Sequence, residues 1–455
     1  RAYDIVFFNY FLMANFVIAS IFYFLLISKF INNTLLILFL SLCVPWLSPM
    51  VLKLGGHMNL SLSSIILLTY LLLAKFIEYA YSNVRQIYTA LTLTAVVTIS
   101  FFIHGYYLFI LSFLTFFFFF FSALFNKKPK YLLYSLVVPA MCFLLCQFAL
   151  KFIDQQYYER STHVIGLGFD EWEMSIVGFF TPYLHSTFRF FLPYDYPFNL
   201  EARAYLGAGF IVSIALFCFC RLFTVLYKKT IKEAATSFKN IIKSNILLST
   251  FLLTAFFLAV MSFGDGGYAF HTQHHVYNYL NPLFILQKIK PEFGHIRFAT
   301  RFQYPVLFVV YLLVAVVLQH LWGTKKKSAL IIFTITIFLI ALDTHDQIAV
   351  QSMPFNLFSN REIERGLNDL PFVNFEQYQA LLPIPYTYVG SENIDSTIET
   401  DDDFLYKTFQ LSIHSRLPLM SSQMSRTPEY QNAKLVEMIL NGKPDRLILE
   451  KLNEK

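Results

Sequence analysis

Long apolar runs alternate with short polar breaks along most of the chain. A helix needs roughly 20 apolar residues to cross a bilayer. Ten runs approach that length, at about 5–28, 33–52, 60–77, 87–103, 107–125, 131–153, 204–226, 245–263, 303–321 and 328–343. Three of them, 33–52, 87–103 and 328–343, are short or poorly separated from their neighbours. The breaks differ in kind. One set holds Lys29, Lys75, Arg85, Lys127, Lys128, Lys130, Arg221, Lys228, Lys229, Lys232, Lys239, Lys243 and Lys325 to Lys327, with Glu78 and Glu233 as the acids. Short loops rich in Lys and Arg stay on the cytoplasmic side. Residue 1 is then expected outside, and ten crossings return the tail to the outside. Three larger polar regions fall on that outer face: 154–203, 264–302 and 344–455.

The pattern predicts an all-α polytopic membrane domain over 1–343, with outer loops 154–203 and 264–302. A small extracytoplasmic domain is expected over 344–455, which is long enough to fold by itself. It holds strand-like Tyr386-Thr-Tyr-Val389 and a helix-like stretch at 429–441, so a mixed α/β cap is expected. No repeat with a period of 20–50 residues stands out.

Composition agrees. Only 14% of the 455 residues are charged and 56% are hydrophobic, with 53 Phe and 28 Tyr. A water-soluble domain carries about 25% charged residues and cannot hide this much apolar surface. Disorder, a collagen-like repeat and a disulfide framework are excluded on the same figures. The run Phe116 to Phe121 reads as compositional drift acceptable to lipid. Cys43, Cys142, Cys146, Cys218 and Cys220 all sit in apolar runs and read as small buried hydrophobes. The net charge of +6 is no nucleic-acid signal, because the basic residues gather at membrane edges. The first residue is Arg rather than Met, so a longer gene product is expected.

Candidate chemistry is one-sided. Ten of the eleven His lie at or beyond the expected outer edge, and only His320 lies at the inner one. The first cluster is Lys53-Leu-Gly-Gly-His57-Met-Asn59, where paired glycines permit close backbone approach. The next outer turn is His104-Gly-Tyr-Tyr107, so His57 and His104 are placed to converge. The plain alternative is a hydrogen-bonded loop histidine in each turn. A second region runs from Asp170-Glu-Trp-Glu173 through Gly178-Phe-Phe-Thr-Pro182 to Arg189, Asp195, Glu201 and Arg203. Its interleaved aromatic and charged residues suit an amphipathic stretch in the membrane interface. They suit equally a sugar site, where rings stack and carboxylates hold hydroxyls. The third region holds His271, His274 and His275, whose spacing admits a divalent metal. It continues to Arg297 and Arg301, four apart on one helix face as the chain enters a span. Guanidinium groups at that depth bind phosphate oxygens well, or simply position the helix at the headgroups.

Four stretches then occur in a suggestive order. They are Pro49…Leu-Gly-Gly-His57-x-x-Leu60, Ile103-His104-Gly-Tyr106, Glu201-x-x-x-Tyr205-Leu-Gly207, and Pro282…Gly294-x-Ile-Arg297-x-x-x-Arg301-Phe302. A span end with Asp343 follows, then Leu382-Pro-x-Pro385 and Ser425-Arg426 in the tail. This order resembles the C-class (GT-C) integral-membrane glycosyltransferases, in the YfhO-like and uncharacterised bacterial multi-pass branch. The resemblance implies inverting transfer of a sugar from a polyprenyl-phosphate donor at the outer face of the bacterial cytoplasmic (inner) membrane. The acceptor is a cell-envelope glycan, lipid or protein. It implies Lys53, His57, His104, Arg297 and Arg301 around the donor phosphate. It also implies an acidic base in an early outer loop, expected upstream of Arg1, with Glu201 and Glu173 as the fallback within this chain. A transporter or flippase of lipid-linked sugars, and a non-catalytic membrane assembly protein, stay open as alternatives. Span interiors nearly free of ionisable groups favour a surface-facing enzyme over alternating access.

Overall fold

A computed structural model describes residues 2–55, 57–154, 174–183, 185–191, 204–216, 245–264, 281–289, 299–324, 327–351, 374–387, 401–420, 429–443 and 446. The chain divides into two compact units. One comprises Arg1–Ala149, Phe169–Ile289 and Ile296–Ser352; the other comprises Leu150–Gly168, Lys290–His295 and Met353–Lys455.

The first unit is a helical membrane domain. Its helices are α1 (Ala2–Ile27), α2 (Thr34–Leu47), α3 (Ser63–Glu78), α4 (Asn83–Ile103), α5 (Tyr106–Asn126), α6 (Pro129–Ile153), α7 (Ile246–Ser262), α8 (Pro282–Ile289), α9 (Tyr304–Thr324) and α10 (Lys327–Gln351). Among the described residues, seven helices are long and apolar enough to cross a membrane: α1, α3 with its preceding turn, α4, α5, α6, α9 and α10. The apolar helices α2 and α7 are shorter. The expected span 204–226 is non-helical over 204–207 and helical over 208–216, and 217–226 lie outside the described residues. Wide apolar faces, such as Leu133, Leu136, Leu144 and Phe148 of α6, are exposed. Such a belt is stable against lipid and unstable against water. The protein is a polytopic membrane protein.

Boundaries differ from the sequence expectation where local chemistry intervenes. Helix α2 stops at Leu47, because Ser48 turns extended before Pro49, and the chain continues as a 3-10 turn, Pro49–Gly55. A residue before proline is pushed out of the helical region. Helix α4 begins earlier, at Asn83, because Ser82 caps it by accepting from the Arg85 N–H (3.5 Å). Helix α10 continues past 343 to Gln351, since no Gly or Pro intervenes in that stretch.

Aromatic packing unites the helices. Phe117, Phe118, Phe119 and Phe121 are buried, not lipid-facing filler. Phe118 meets Phe251 of α7 at 5.2 Å, Phe121 meets Phe257 of α7 at 5.1 Å, and Phe119 meets Phe76 of α3 at 4.7 Å. A continuous run of Phe serves three neighbours because a central helix has no single apolar stripe. Cys43, Cys142 and Cys146 are buried and free, as expected of small hydrophobes; Cys218 and Cys220 lie outside the described residues.

The two ends of the bundle carry different groups. At the basic end, Lys29 pairs with Glu78. Lys130 donates to Asn83 Oδ1 (2.9 Å) and Gln86 Oε1 (2.8 Å). Gln319 accepts the N–H groups of Asn32 and Asn33. The opposite, histidine end is tied by Asn15, which donates to Ser61 O (3.3 Å) and accepts from Ser64 N (3.2 Å).

The second unit holds two described helices, α11 (Asp402–Ser415) and α12 (Glu429–Asn441). The expected helix at 429–441 is present and ends at Gly442, in the left-handed region with φ 66°. The described residues of this unit contain no strand, only a single parallel bridge between Leu381 and Leu419, and Tyr388 and Val389 of the expected strand-like stretch lie outside the described residues. Leu381 donates to Pro418 O (2.8 Å) and Met420 donates to Leu381 O (2.8 Å). The pairing stops there, since Pro383 and Pro385 lack the N–H that a ladder needs.

Candidate functional site

Polar side chains converge at two places in the membrane domain, both toward the histidine end. The first is built from the α4–α5 turn, the turn after α2 and the entry to α9. Asn59 donates to Ile103 O (3.0 Å) and so clamps the short turn Met58–Ser61 onto the end of α4. That brings His57 beside His104, with ring centroids 6.4 Å apart and nearly perpendicular. His104 closes α4 and accepts the Tyr106 N–H on Nδ1 (3.2 Å), which starts α5. An imidazole that accepts on Nδ1 carries its proton on Nε2. The Tyr106 ring lies 5.5 Å from His104 and receives the Arg301 guanidinium 4.3 Å above its centroid.

Arg301 is only 2% exposed, on the 3-10 turn Ala299–Gln303 that leads into α9. Phe302 anchors that turn, fully buried and 5.6 Å from Phe113 of α5. The same turn carries Thr300 Oγ1 and both amide atoms of Gln303, all buried without a hydrogen-bond partner. A buried polar atom left unpaired costs about 1–3 kcal/mol. Lys53 sits half-buried on the neighbouring turn Pro49–Gly55. Sequence order thus placed His57, His104 and Arg301 in one neighbourhood, and missed Tyr106 as the aromatic face joining them. An aromatic two residues after His104 at a helix start was the available signal.

The second place surrounds Asp343 of α10. The turn containing Gly178 and Phe179 bonds to the segment before 208–216 through Ala204 N–Gly178 O (3.2 Å) and Leu206 N–Phe179 O (2.9 Å). Tyr311 of α9 donates to Leu206 O (2.9 Å). Gly207 has φ +86°, a conformation glycine alone adopts cheaply. A Cβ there would stand 2.5 Å from Tyr311 Oη and 3.1 Å from Asp343 Oδ2. The Gly209 N–H reaches Asp343 Oδ2 at 3.4 Å. One turn further along α10, Asp346 accepts from the Thr187 N–H (2.6 Å) and hydroxyl (3.1 Å).

These contacts enclose a small pocket between α2, α10 and the loop segments, lined by Asp343, Gln347, His185 and Tyr205 among others. Asp343 and Gln347 are 3% and 5% exposed. Asp343 Oδ1, Gln347 Oε1 and His185 Nε2 are buried there without a hydrogen-bond partner. Burial pushes the His185 imidazole below its ordinary range, opposed in part by Gln347 and Asp346. In the described part of 170–203, Met174, Thr181, Tyr183 and Ser186 are buried in the protein while Phe180, Thr187 and Arg189 are exposed. Tyr205 and Gly207 belonged to a noticed motif and Asp343 to a noticed span end. Their meeting was not legible, because residues 134 apart come together only on folding.

The remaining sequence candidates, Glu173, Glu201, His271, His274, His275 and Arg297, lie outside the described residues. Among the described residues no three His, Cys, Asp or Glu side chains are arranged to hold a metal.

Comparison with known proteins adds a family and no activity. No curated protein and no solved structure matches the chain. Residues 2–345 match a family defined as a domain of unknown function, and on that span the chain belongs to DUF6311.

Proposed function

We propose that the protein is a membrane glycosyltransferase that moves a sugar from a polyprenyl-phosphate donor to a cell-envelope acceptor. The reaction takes place at the outer face of the bacterial cytoplasmic membrane, and the histidine end is that face. The observation that carries the reading is Arg301: a buried guanidinium held over Tyr106, beside His104 and His57, where a span begins. A lipid donor enters sideways, so its phosphate arrives at the depth of a span end. A fixed cation at that place stabilises the charge that grows on the leaving phosphate. His104 offers Nε2–H as a further donor, and Lys53, His57 and Arg297 complete the donor set. The acceptor oxygen bonds to the anomeric carbon while the bond from that carbon to the phosphate oxygen breaks. The electron pair leaves with the phosphate, and the hydroxyl proton passes to a carboxylate, with Glu201 and Glu173 as the candidates in this chain.

The test is sugar transfer from a labelled polyprenyl-phosphate sugar by the whole protein in lipid. Arg301→Ala is expected to lower transfer by about 100-fold or more at equal membrane abundance. Arg301→Lys is expected to restore only part of it, because an ammonium neither forks nor stacks as guanidinium does. Unchanged glycan products in Arg301→Ala would sink the phosphate reading.

Asp343 favours a second reading, a transporter of lipid-linked sugars. A carboxylate buried inside a membrane span marks ion and substrate pathways more often than it marks structure. Movement of the labelled lipid-linked sugar across sealed vesicles, with no new glycan formed, decides for transport.

A further inference from the structure

The pocket around Asp343 presents a charge problem that sugar transfer does not use and that the transporter reading leaves without a named ligand. A carboxylate removed from water needs a counter-charge or a full set of donors. Asp343 Oδ2 has one long hydrogen bond from Gly209, at 3.4 Å, with the Ala208 amide and the Tyr205 hydroxyl alongside the group. Its Oδ1 has no hydrogen-bond partner. No ion pair joins Asp343 to Lys, Arg or His among the described residues. One turn along the same face, Gln347 turns a second unpartnered oxygen, Oε1, into the same pocket. Residues i and i+4 share a helix face, so the two oxygens flank one space. His185 also lines the pocket, and its ring interacts with the Gln347 side chain while its buried Nε2 makes no well-aligned hydrogen bond. Asp346 also lines the pocket, but the Thr187 amide and hydroxyl already engage both of its oxygens.

We infer that this pocket is a binding site for one monovalent cation, with Asp343 Oδ1 and Gln347 Oε1 as its oxygen ligands and His185 beside them. A hard cation satisfies a carboxylate oxygen and an amide oxygen together. One uncompensated carboxylate among neutral ligands balances a charge of +1. A divalent ion is disfavoured, because among the described residues no three acidic, histidine or cysteine side chains are arranged to hold one. Among the described residues, the titratable groups around Asp343 are Asp346 on α10, His185 and Tyr183 on the loop, Tyr205, and Tyr311 on α9. None of them supplies a permanent positive charge. A proton on Asp343 therefore competes with the cation, and occupancy falls as the medium is acidified. The inference does not depend on sugar transfer or on transport.

The test uses the whole chain in lipid nanodiscs at constant ionic strength and alkaline pH. Thermal unfolding is followed as N-methyl-D-glucamine chloride is replaced by NaCl or by KCl. A site of this kind gives a saturable rise of about 2–4 °C with the preferred ion, and the larger response identifies which ion that is. The rise is expected to shrink on moving to pH 6 and to vanish in Asp343→Asn. In Gln347→Leu the half-saturating concentration should rise about tenfold. Identical melting in all three salts, or a rise that survives unchanged in Asp343→Asn, overturns the site. Should Asp343→Asn fail to fold, an unchanged half-saturating concentration in Gln347→Leu overturns it equally.

Discussion

The two ends of the helical domain use polar residues in opposite ways. At the basic end, the long polar side chains satisfy one another. Lys29 meets Glu78, Lys130 spans Asn83 and Gln86, and Gln319 accepts two loop amides. At the histidine end, polar groups are buried and incompletely paired. Among the described residues of this domain, every buried carboxylate, amide or imidazole with an unpartnered atom belongs to that half: His185, Gln303, Asp343 and Gln347. Asp343 lies 16 residues along α10 from its basic start, or roughly 24 Å at 1.5 Å per residue. One end therefore holds its long polar groups at little cost in stability, while the other holds several groups whose unpartnered atoms lower it. That asymmetry is what a one-faced membrane enzyme or carrier requires, and it can be tested at each end.

The largest difference should come from two glycines. A Cβ on Gly209 would stand 2.3 Å from Ile340 Cγ1 and 2.9 Å from the Ile340 backbone nitrogen, so backbone has to move. Gly209→Ala is expected to cost about 3 kcal/mol. Gly323, near the basic end of α9, has nothing within 4 Å of its added Cβ. Gly323→Ala is expected to be neutral or stabilising by up to about 1 kcal/mol, through helix propensity. Chemical denaturation in mixed micelles measures both. A comparable loss in each variant breaks the contrast.

Next in size is the aromatic face beneath Arg301. Tyr106→Leu removes a cation–π contact worth about 1–2 kcal/mol when shielded from water. Sugar transfer should fall roughly tenfold, and Tyr106→Phe should retain most of it. Equal loss in both variants would assign the role to the hydroxyl instead.

His185 gives a smaller, pH-dependent effect. Its folded-state pKa is lowered, so below about pH 6.5 the unfolded chain binds the proton more readily. Stability contributed by the neutral ring is present above that pH and is lost as pH falls through it. Melting temperature, measured without alkali cations, should therefore drop between pH 7.5 and 5.5. His185→Gln should flatten that slope. A slope unaltered by the substitution removes His185 from the account.

The smallest effect belongs to the basic end. Lys29 and Glu78 are 24% and 46% exposed. Lys29→Ala or Glu78→Ala should change stability by less than about 1 kcal/mol and leave transfer unchanged. A tenfold loss of activity in either would contradict a purely topological role.

Particular residues show how far the sequence reached. The helix over 429–441 could be read because its stop signal, Gly442, is local. The nearness of His57 and His104 followed from their being in turns at the same end. The strand-like stretch Tyr386-Thr-Tyr-Val389 is only half described, and the part that is described forms no strand; just before it, Pro383 and Pro385 lack the N–H that a ladder needs. The run Phe116 to Phe121 was undervalued, since periodicity cannot say whether an apolar residue faces lipid or another helix. In both cases one property of the chain was legible and its partner was not.

By itself, then, the sequence determined that the protein is a polytopic membrane protein and where most of its apolar helices fall. These follow from local quantities: apolar run length, loop charge and capping residues. Only the tertiary structure decided which polar groups meet. It put Tyr106 under Arg301, and it set Gly207 against Tyr311 and Asp343, and Gly209 against Ile340, so closely that an added Cβ does not fit. The pocket at Asp343 depends on contacts between residues more than a hundred positions apart. Their geometry comes from helix packing, which hydropathy leaves open because lipid and protein interior look alike to an apolar side chain.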